Sequence, residues 1–230
     1  YFTQKAFQVF ITNLNDNTPS ITSSARFSVA ENQTAIGTVT VTDADGDTLT
    51  YSLSGTDASS MSINSSSGAL AFNSAADYET KSSYAATVTA SDGTNSTTQN
   101  ITVSVTNLND NTPSITSSAT FSAAENQTAI GTVTATDADG DTLTYSLSGT
   151  DSSSMSINSS SGVLTFVSAP DYETKTSYTA TVTASDGTNS ATQNITVNVT
   201  NVNEAPVITS SATFSASENQ TAIGTVAATD

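Results

Sequence analysis

The sequence predicts an all-β protein built from tandem seven-stranded antiparallel β-sandwiches of Greek-key type, arranged end to end as a rod. Three observations lead to this prediction: long segments recur, short stretches alternate apolar with polar residues, and no stretch keeps a helical period. The segment ENQTAIGTV begins at Glu31, Glu125 and Glu218, and TDADGDTLTYSLSGTD begins at Thr42 and Thr136. Because the first two copies lie 94 residues apart, one repeat corresponds to one domain.

The second copy shows the strand pattern in full. Its seven strand-like stretches are, in chain order, SITSSATFS, AIGTVTAT, TLTYSL, MSI, GVLTF, SYTATVTAS and TQNITVNVT. Alternation sends successive side chains to opposite faces, so Val182 and its apolar neighbours two residues away point to one face. The predicted core is mostly small aliphatic residues, and Phe121, Phe166, Tyr145 and Tyr178 add bulk to it.

The repeat also predicts the domain boundaries. We expect residues 1–17 to be the last strand of a preceding repeat and residues 18–111 to form repeat 1. Repeat 2 then spans residues 112–204, and residues 205–230 contain the first strands of a third repeat. We expect this chain to be a window cut from a longer array. The junction VTNLNDNTPSIT carries Asn, Asp and Pro instead of the Gly and Ser of a flexible linker, which favours a stiff joint.

Composition excludes several classes of function. The chain has no Cys and no His, which removes disulfides, thiolate ligands and the commonest general base. It has 4 basic against 21 acidic residues and a net charge of −17, which argues against nucleic acid or an anionic membrane surface as partner. No apolar run approaches the roughly 20 residues that span a bilayer, so we expect no membrane insertion by this segment. Hard cations are the natural counter-charge.

The acids are clustered at fixed positions in each copy. In repeat 2 the clusters are Glu125; Asp137, Asp139 and Asp141; Asp171 and Glu173; Asp186; and the junction NLNDN at 107–111. Calcium takes six to eight oxygen ligands from carboxylates, amides and carbonyls, which such turns supply. Taken singly, DADGD is explained equally well as a polar turn, DYE is better explained as a solvated loop, and NDNTP is better explained as a turn. Taken together, with so few basic residues, they favour a divalent cation at each junction.

Five motifs in a fixed order resemble the extracellular cadherin repeat, in the form common in bacterial surface proteins. They cover essentially the whole chain. They are ENQTAIGT; the DxD of Asp43/Asp45 and Asp137/Asp139; the DYE at 77–79 and 171–173; the AxD at Asp92 and Asp186; and the NxNDNxP junctions at 13–19 and 107–113. The resemblance implies a non-enzymatic, extracellular segment, secreted or attached to the cell surface, that binds Ca²⁺ between repeats.

The resemblance also implies the calcium ligands. For the central joint they are Glu31, Asp77, Glu79, Asn107, Asn109, Asp110, Asn111, Asp137, Asp139 and Asp186. For the flanking joints they are Asn15, Asp16, Asn17, Asp43, Asp45 and Asp92 on one side, and Glu125, Asp171, Glu173, Asn203, Glu204 and Asp230 on the other. The third joint reads NVNEAP, with Glu204 and Ala205 where the central joint has Asp and Asn, so we expect weaker or fewer ions there. Asp47 and Asp141 are either additional ligands or turn residues.

The main functional hypothesis is a calcium-stiffened structural segment of a long surface protein, such as an adhesin stalk or filament. Its partners would be other repeats of the same chain, and like chains through homophilic or filament assembly. The alternative is a module whose sandwich faces or loops bind a surface glycan or another partner, with Tyr78 and Tyr172 as candidate aromatics. Glycoside hydrolysis by Asp171 and Glu173 and ice binding by outward rows of Thr are disfavoured, because calcium and ordinary strand propensity explain the same residues.

Overall fold

The computed structural model describes residues 6–229, which fall into two units, residues 1–110 and 111–230. In unit 1 the strands are β1 (Ser20–Ile21), β2 (Arg26–Ala30), β3 (Ala35–Thr38), β4 (Val41–Thr42), β5 (Thr50–Ser54), β6 (Met61–Ile63), β7 (Ala69–Phe72), β8 (Ser83–Ser91) and β9 (Ser96–Thr106). One turn of 3₁₀ helix, Ala58–Ser60, precedes β6. Among the described residues, no helix is long and apolar enough to cross a membrane.

Unit 2 repeats this order of elements. Its strands are β10 (Ser114–Ile115), β11 (Thr120–Ala124), β12 (Ala129–Thr132), β13 (Ala135–Thr136), β14 (Thr144–Ser148), β15 (Met155–Ile157), β16 (Val163–Phe166), β17 (Ser177–Ser185), β18 (Ser190–Thr200), β19 (Val207–Ile208) and β20 (Ala228–Thr229). A 3₁₀ turn at Ser152–Ser154 precedes β15. The short strands β19 and β20 pair with each other, in the part of the chain after the second repeat.

The predicted all-β sandwich is confirmed in both units. In unit 1 a four-stranded sheet has the order β2-β9-β8-β5, and a three-stranded sheet has the order β3-β7-β6. The short pair β1–β4 extends the first and second strands, so merging β1 with β2 and β3 with β4 gives seven strands. Unit 2 has the same orders, β11-β18-β17-β14 and β12-β16-β15.

One pairing in each unit departs from the antiparallel pattern. Strand β2 runs parallel to β9, and β11 runs parallel to β18. The reason is that the first strand changes sheets. Its initial part, β1, pairs antiparallel with β4; the chain then passes to the other sheet and joins the edge beside the last strand. Alternation fixes which side chains face inward, but it does not fix strand direction, so the sequence could not predict this pairing.

The core of each unit lies between its two sheets. In unit 1 the buried side chains include Val88 and Ile101 from the four-stranded sheet and Leu70 and Phe72 from the three-stranded sheet. In unit 2 the four aromatic residues that the sequence places in the core pack there: Phe166 is buried, and the other three are partly buried against the core. The Phe166 and Tyr178 rings pack edge to face, with 4.9 Å between their centroids.

In each unit a glycine lets one loop lie close to another part of the backbone. The loop before β7 lies against the chain between β3 and β4, and the loop before β16 lies against the chain between β12 and β13. Gly68 has φ +70°, and a Cβ there would lie 2.4 Å from the carbonyl oxygen of Val39. Gly162 has the same φ, and a Cβ there would lie 2.2 Å from the carbonyl oxygen of Val133. Because no side chain fits in that space, the glycine that ends NSSSG is required by a close backbone approach.

The two lysines of the repeats bind acids that lie outside the predicted calcium ligands. Lys81 Nζ lies 2.5 Å from Asp57 Oδ1 and 4.8 Å from the centroid of the Tyr84 ring. Unit 2 has the same arrangement, with Lys175 Nζ at 2.5 Å from Asp151 Oδ1. Hydrogen bonding from Lys81 lowers the pKa of Asp57 below its ordinary value.

Candidate functional site

Acidic side chains gather at both ends of the last long strand of each repeat. In unit 1 the start of β9 follows the turn that holds Asp92, and its end leads to Asp110. The cluster at the start is called the aspartate end; its members are Asn13, Asn15, Asp16, Asn17, Asp43, Asp45, Asp47, Asp92 and Asn95. The cluster at the finish is called the glutamate end; its members are Glu31, Asn32, Asp77, Glu79 and residues 107–110.

Unit 2 carries the same two clusters. Its aspartate end consists of Asn111, Asp137, Asp139, Asp141, Asp186 and Asn189. Its glutamate end consists of Glu125, Asn126, Asp171, Glu173, Asn201, Asn203 and Glu204.

At the aspartate end of unit 1, Asp45 holds the segment that precedes the repeat. Its Oδ2 accepts the backbone N–H groups of Asp16 at 3.0 Å and Asn17 at 2.7 Å, and its Oδ1 accepts Asn17 Nδ2 at 2.7 Å. These bonds, led by the backbone N–H of Asn17, lower the pKa of Asp45. In unit 2 Asp139 accepts the backbone N–H and the Nδ2 of Asn111, both at 2.8 Å. The second Asp of DxD therefore fixes the junction segment.

The first Asp of the motif organises its own loop. Asp43 Oδ1 accepts the backbone N–H groups of Asp45 and Gly46 at 3.0 Å and of Asp47 at 3.3 Å. Gly46 has φ +77°, which lets the loop turn back around the carboxylate. The loop therefore holds the three aspartates together, and each offers a carboxylate oxygen within 4.8 Å of the other two.

The turn between β8 and β9 brings a fourth aspartate to the same end. Asp92 is only 9% exposed, and its Oδ1 accepts the backbone N–H groups of Thr94 at 2.7 Å and Asn95 at 2.6 Å. Asn15 Nδ2 donates to the Asp92 carbonyl at 3.2 Å, and Asn95 Nδ2 donates to Asn15 Oδ1 at 3.4 Å. Burial acts to raise the pKa of Asp92, but these hydrogen bonds outweigh it and lower the pKa.

Several carboxylate oxygens at the aspartate ends are enclosed without a hydrogen bond. Within residues 6–229, Oδ2 of Asp43, Asp47, Asp92 and Asp137 is buried and accepts none. Partial desolvation and the neighbouring charges of Asp43, Asp45 and Asp92 raise the pKa of Asp47. An enclosed anionic oxygen without a donor costs free energy, so these atoms create a demand for a cation.

The glutamate end is built differently. Glu31 is 2% exposed, and its carboxylate accepts the backbone N–H of Tyr78 at 2.8 Å on Oε2 and that of Leu108 at 2.7 Å on Oε1. Unit 2 repeats both bonds: Glu125 accepts from Tyr172 at 2.8 Å and from Val202 at 2.7 Å. Each buried Glu thus ties the DYE loop and the junction to the end of the strand that precedes the Glu, β2 in unit 1 and β11 in unit 2.

The residue after each buried Glu completes this end. Asn32 has φ 62°, and its backbone N–H donates to the Ala76 carbonyl at 2.9 Å. Its Nδ2 donates to Asp110 Oδ2. In unit 2 Asn126 has φ 61°, and its Nδ2 donates to Glu204 Oε1 at 2.5 Å. The longer Glu204 therefore keeps the hydrogen bond that Asp110 makes in unit 1.

The glutamate end of unit 2 contains an acidic cavity of about 540 Å³. Glu125, Glu173 and Glu204 each offer a carboxylate oxygen within 4.8 Å of the others. Glu173 Oε1 accepts Asn201 Nδ2 at 2.8 Å. A backbone hydrogen bond acts to lower the pKa of Glu173, but desolvation and the surrounding carboxylates together raise it. The lining is completed by Asn126, Asp171, Ala205, Val207 and Thr229.

The described residues among the predicted calcium ligands lie in these clusters, but their hydrogen-bond partners differ. Asp77 binds Thr80, whose backbone N–H and hydroxyl donate to its carboxylate at 3.1 and 2.8 Å, and Asp171 binds Thr174 in the same way. Asn203 Nδ2 donates to the Glu204 carbonyl at 3.1 Å. Asn107, Asn109 and the exposed Glu79 lie at the glutamate end of unit 1. Asp186 holds its turn as Asp92 does, through Thr188 and Asn189, both at 2.6 Å. Asp230 lies outside the described residues.

Sequence reasoning missed two kinds of residue at the clusters. Asn32 and Asn126 were not singled out as site residues; both have positive φ in the structure, and an Asn directly after the recurring Glu was the available signal, because Asn tolerates that conformation. Asn95 and Asn189 were not singled out; Asn95 Nδ2 donates to the Asn17 carbonyl at 3.3 Å, and Asn189 Nδ2 to the Asn111 carbonyl at 3.2 Å. The recurring ASDGTN segment was the available signal for this pair.

Comparison with known proteins agrees with this fold. The family model for the cadherin domain matches residues 25–106 and 119–200. Mouse cadherin-23 EC22-24 is similar at 28% identity with a TM-score of 0.72, covering 83% of this chain and 67% of that one. Human protocadherin-24 EC1-2 is similar at 21% identity and TM-score 0.68, with 83% and 100% covered. The human desmocollin-1 ectodomain is similar at 22% and 0.65, with 85% and 44% covered. The search of curated proteins found no match.

Fold and site together define a tandem β-sandwich repeat protein with acidic residues at both ends of each repeat. The match to the cadherin domain covers most of the chain. This chain belongs to the cadherin family and contains two consecutive cadherin domains.

Proposed function

We propose that this chain is a calcium-stiffened structural segment of a long extracellular repeat protein, such as a bacterial adhesin stalk or surface filament. Ca²⁺ would bind where one repeat follows the next. The single observation that carries the proposal is the set of enclosed carboxylate oxygens without hydrogen bonds at the aspartate ends, on Asp43, Asp47, Asp92 and Asp137. We also propose the repeat boundaries 18–111 and 112–204, flanked by partial repeats.

The residues present fit calcium by their chemistry. Both ends offer carboxylate, amide and carbonyl oxygens, and the chain has no Cys or His to favour a softer metal. The ammonium groups of Lys81 and Lys175 bind Asp57 and Asp151, which belong to neither acidic end. A divalent cation is therefore the compensating charge that this donor set supports best.

The chain's own residues supply the rest of the mechanism. Asp45 and Asp139 hold the junction segment to the repeat that follows it. Glu31 and Glu125 hold the junction segment to the repeat that precedes it. A bound cation would neutralise carboxylates at both ends and remove the repulsion that otherwise favours bending. Junction residues 107–113 would then be rigid, and the array would be a semi-rigid rod.

The third junction should hold fewer ions. It has Glu204 and Ala205 in place of the Asp110 and Asn111 of the preceding junction, and it is one residue shorter. Asn111 donates both its backbone N–H and its Nδ2 to Asp139, whereas Ala205 has no side-chain donor to replace the Nδ2. We infer a softer joint there, which would place a bend in an otherwise stiff array.

Limited proteolysis of the full chain, with cleavage sites mapped by mass spectrometry, tests the proposal. With millimolar Ca²⁺ we expect protection of residues 107–113, and with a chelator we expect cleavage there. Equal concentrations of Mg²⁺ serve as the matched control, because Mg²⁺ dehydrates reluctantly and should protect less. Cleavage at the same rate in Ca²⁺ and in chelator would refute calcium stiffening.

Extracellular location and partner choice belong to the same proposal. The family relationship favours a secreted or surface-attached segment that contacts neighbouring repeats of its own chain and like chains. The alternative function is recognition of a glycan or another partner by the sandwich faces. It predicts binding that survives chelation, because the acidic clusters lie at the ends of each repeat and not on those faces. Binding of a like chain or a glycan in the presence of a chelator would favour it.

A further inference from the structure

Each repeat has a groove on the outward face of its four-stranded sheet. The groove of repeat 1 has a volume of about 280 Å³, and that of repeat 2 about 310 Å³. The lining of the first includes Gly55, Thr56, Ala85, Thr87, Asn100 and Thr102. The lining of the second includes Gly149, Thr150, Thr179, Thr181, Asn194 and Thr196. The two linings differ at one position, and neither contains a charged residue or shares a residue with the acidic ends.

The groove forms where the chain leaves β5 and passes beside β8. Gly55 has φ +100°, and a Cβ there would lie 3.3 Å from the backbone nitrogen of Thr87, so glycine lets the loop lie against β8. Gly149 has φ +97° and the same distance to the backbone nitrogen of Thr181. The small side chain of Ala85 keeps the space between this loop and β9 open in repeat 1.

The loop that forms one wall of the groove is fixed by an aspartate. The backbone N–H of Asp57 donates to the Ala85 carbonyl at 3.0 Å, and its Oδ2 accepts the backbone N–H of Ala85 at 2.8 Å. Its Oδ1 lies 2.5 Å from Lys81 Nζ, and Asp151 makes the corresponding contacts in repeat 2. The carboxylate next to the groove is therefore already paired, and a wall held in one position lowers the entropic cost of binding a ligand.

The opposite wall presents an amide in a fixed orientation. Thr87 Oγ1 donates to Asn100 Oδ1 at 2.8 Å, and Thr181 Oγ1 donates to Asn194 Oδ1 at the same distance. This bond uses the amide oxygen, and within residues 6–229 no group accepts a hydrogen bond from Nδ2 of either asparagine. Each groove therefore offers an oriented amide donor to a ligand.

The charge of the chain restricts the class of ligand. A net charge of −17 repels anions, and a groove without a carboxylate lacks the ligands that a hard cation requires. An apolar ligand would leave the amide donor of Asn100 unpaired. A neutral ligand rich in hydroxyl groups meets none of these objections, because hydroxyls both donate and accept. Since ligand sites begin at about 300 Å³, the volume suits a single sugar ring.

We propose that this groove binds one sugar residue of a neutral polysaccharide, with Nδ2 of Asn100 or Asn194 donating to a sugar hydroxyl. The proposal does not rest on calcium stiffening; it gives the alternative function described above a specific site. Neither lining contains an aromatic ring to stack on a sugar, so one groove alone should bind weakly. A polysaccharide presents the same sugar many times, and engaging more than one groove raises the overall affinity by about 10²–10⁴-fold.

Affinity electrophoresis of the full chain in native gels tests the proposal, with dextran, mannan or galactan cast in the gel. We expect at least one of these neutral polysaccharides to retard the natural chain. Asn100→Ala/Asn194→Ala removes the amide donor without changing the charge, so the dissociation constant should rise at least about fivefold. The matched control, Ser104→Ala/Asn198→Ala, truncates exposed residues of the same two strands outside the groove and should bind as the natural chain does. Circular dichroism establishes that each variant is folded.

The outcomes decide the proposal. Retardation that is weakened in the groove variant and kept in the control variant supports it. The proposal is overturned if none of the three polysaccharides retards the natural chain, or if the groove variant is retarded equally. An equal loss in the control variant also overturns it, because binding would then involve the sheet face as a whole. None of these results bears on calcium stiffening, which the proteolysis experiment tests separately.

Discussion

The two ends of a repeat use carboxylates in opposite ways. At the glutamate end, Glu31 is buried with both oxygens satisfied by backbone N–H groups of Tyr78 and Leu108. At the aspartate end, Asp43, Asp47 and Asp92 each keep an enclosed oxygen that accepts no hydrogen bond from the described residues. The first arrangement stabilises the fold by itself, whereas the second leaves neighbouring carboxylates whose charges repel one another. The two acidic clusters therefore differ in whether their buried carboxylate oxygens already have hydrogen-bond donors.

The largest expected effect is at the glutamate end. Glu31→Gln replaces one accepting oxygen with an amide that faces a backbone N–H. We expect a loss of about 2–3 kcal/mol in the free energy of unfolding, because a charged hydrogen bond is lost and a buried donor is left unpaired. Chemical denaturation in a chelator measures it.

The control for this change lies at the same end. Glu79→Gln, at an exposed side chain, should change the free energy of unfolding by no more than about 0.5 kcal/mol. If Glu31→Gln were equally harmless, the two ends would not differ as described.

At the aspartate end, removing a carboxylate should stabilise the fold in a chelator, opposite to the effect of Glu31→Gln. In a chelator, Asp47→Asn/Asp141→Asn relieves repulsion and should raise the melting temperature. In Ca²⁺ the same variant should melt at a lower temperature than the natural chain. We expect the calcium-induced rise in melting temperature to shrink by about 5 °C, since weaker binding lowers stabilisation by mass action. Differential scanning calorimetry under both conditions checks this. A variant that is destabilised in the chelator would show that Asp47 is a structural turn residue.

The backbone beside the buried Glu gives a smaller test. Asn32 has φ 62°, a conformation that Gly adopts freely and Ala does not. Asn32→Ala and Asn32→Gly both lose the side-chain hydrogen bond to Asp110. The difference in stability between the two variants therefore measures the cost of the positive φ alone. We expect Ala to be less stable than Gly by about 1 kcal/mol in denaturant unfolding. Equal stabilities would mean that the turn relaxes to a negative φ.

The smallest expected effect is on pH dependence in a chelator. The pKa values of Asp47 and Asp141 are raised by desolvation and neighbouring charges, so the folded state binds their protons more tightly than the unfolded state. Acidification from neutral pH toward the ordinary value of 3.8 should therefore stabilise the fold through these two groups. Below 3.8 the lowered pKa values of Asp45 and Asp92 act in the opposite direction, and stability should be lost.

Melting temperatures measured across this range should therefore pass through a maximum. In the Asp47→Asn/Asp141→Asn variant the rise in melting temperature below neutral pH should be smaller, because only the raised pKa of Glu173 still contributes to it, and the fall at lower pH should remain. A steady fall from neutral pH in the natural chain would contradict the raised pKa values.

The sequence predicted the fold well because repetition and alternation report directly on domain period and core faces. Val182 and Phe166 lie where the period of two places them. The parallel pairing of β2 with β9 was not predictable, because strand direction depends on where the first strand changes sheets. For the site, the motifs predicted which residues gather, but they did not separate Glu31, a satisfied buried carboxylate, from Asp47, an unsatisfied one. That distinction depends on backbone N–H groups up to 77 residues away.

A crystal structure grown in millimolar CaCl₂, with anomalous differences collected at a long wavelength, tests the central claim most directly. We predict anomalous peaks about 2.3–2.6 Å from Oδ2 of Asp43, Asp47 and Asp92, with equivalent peaks beside Asp137 and Asp141. A map with no anomalous peak at either acidic end would contradict the account.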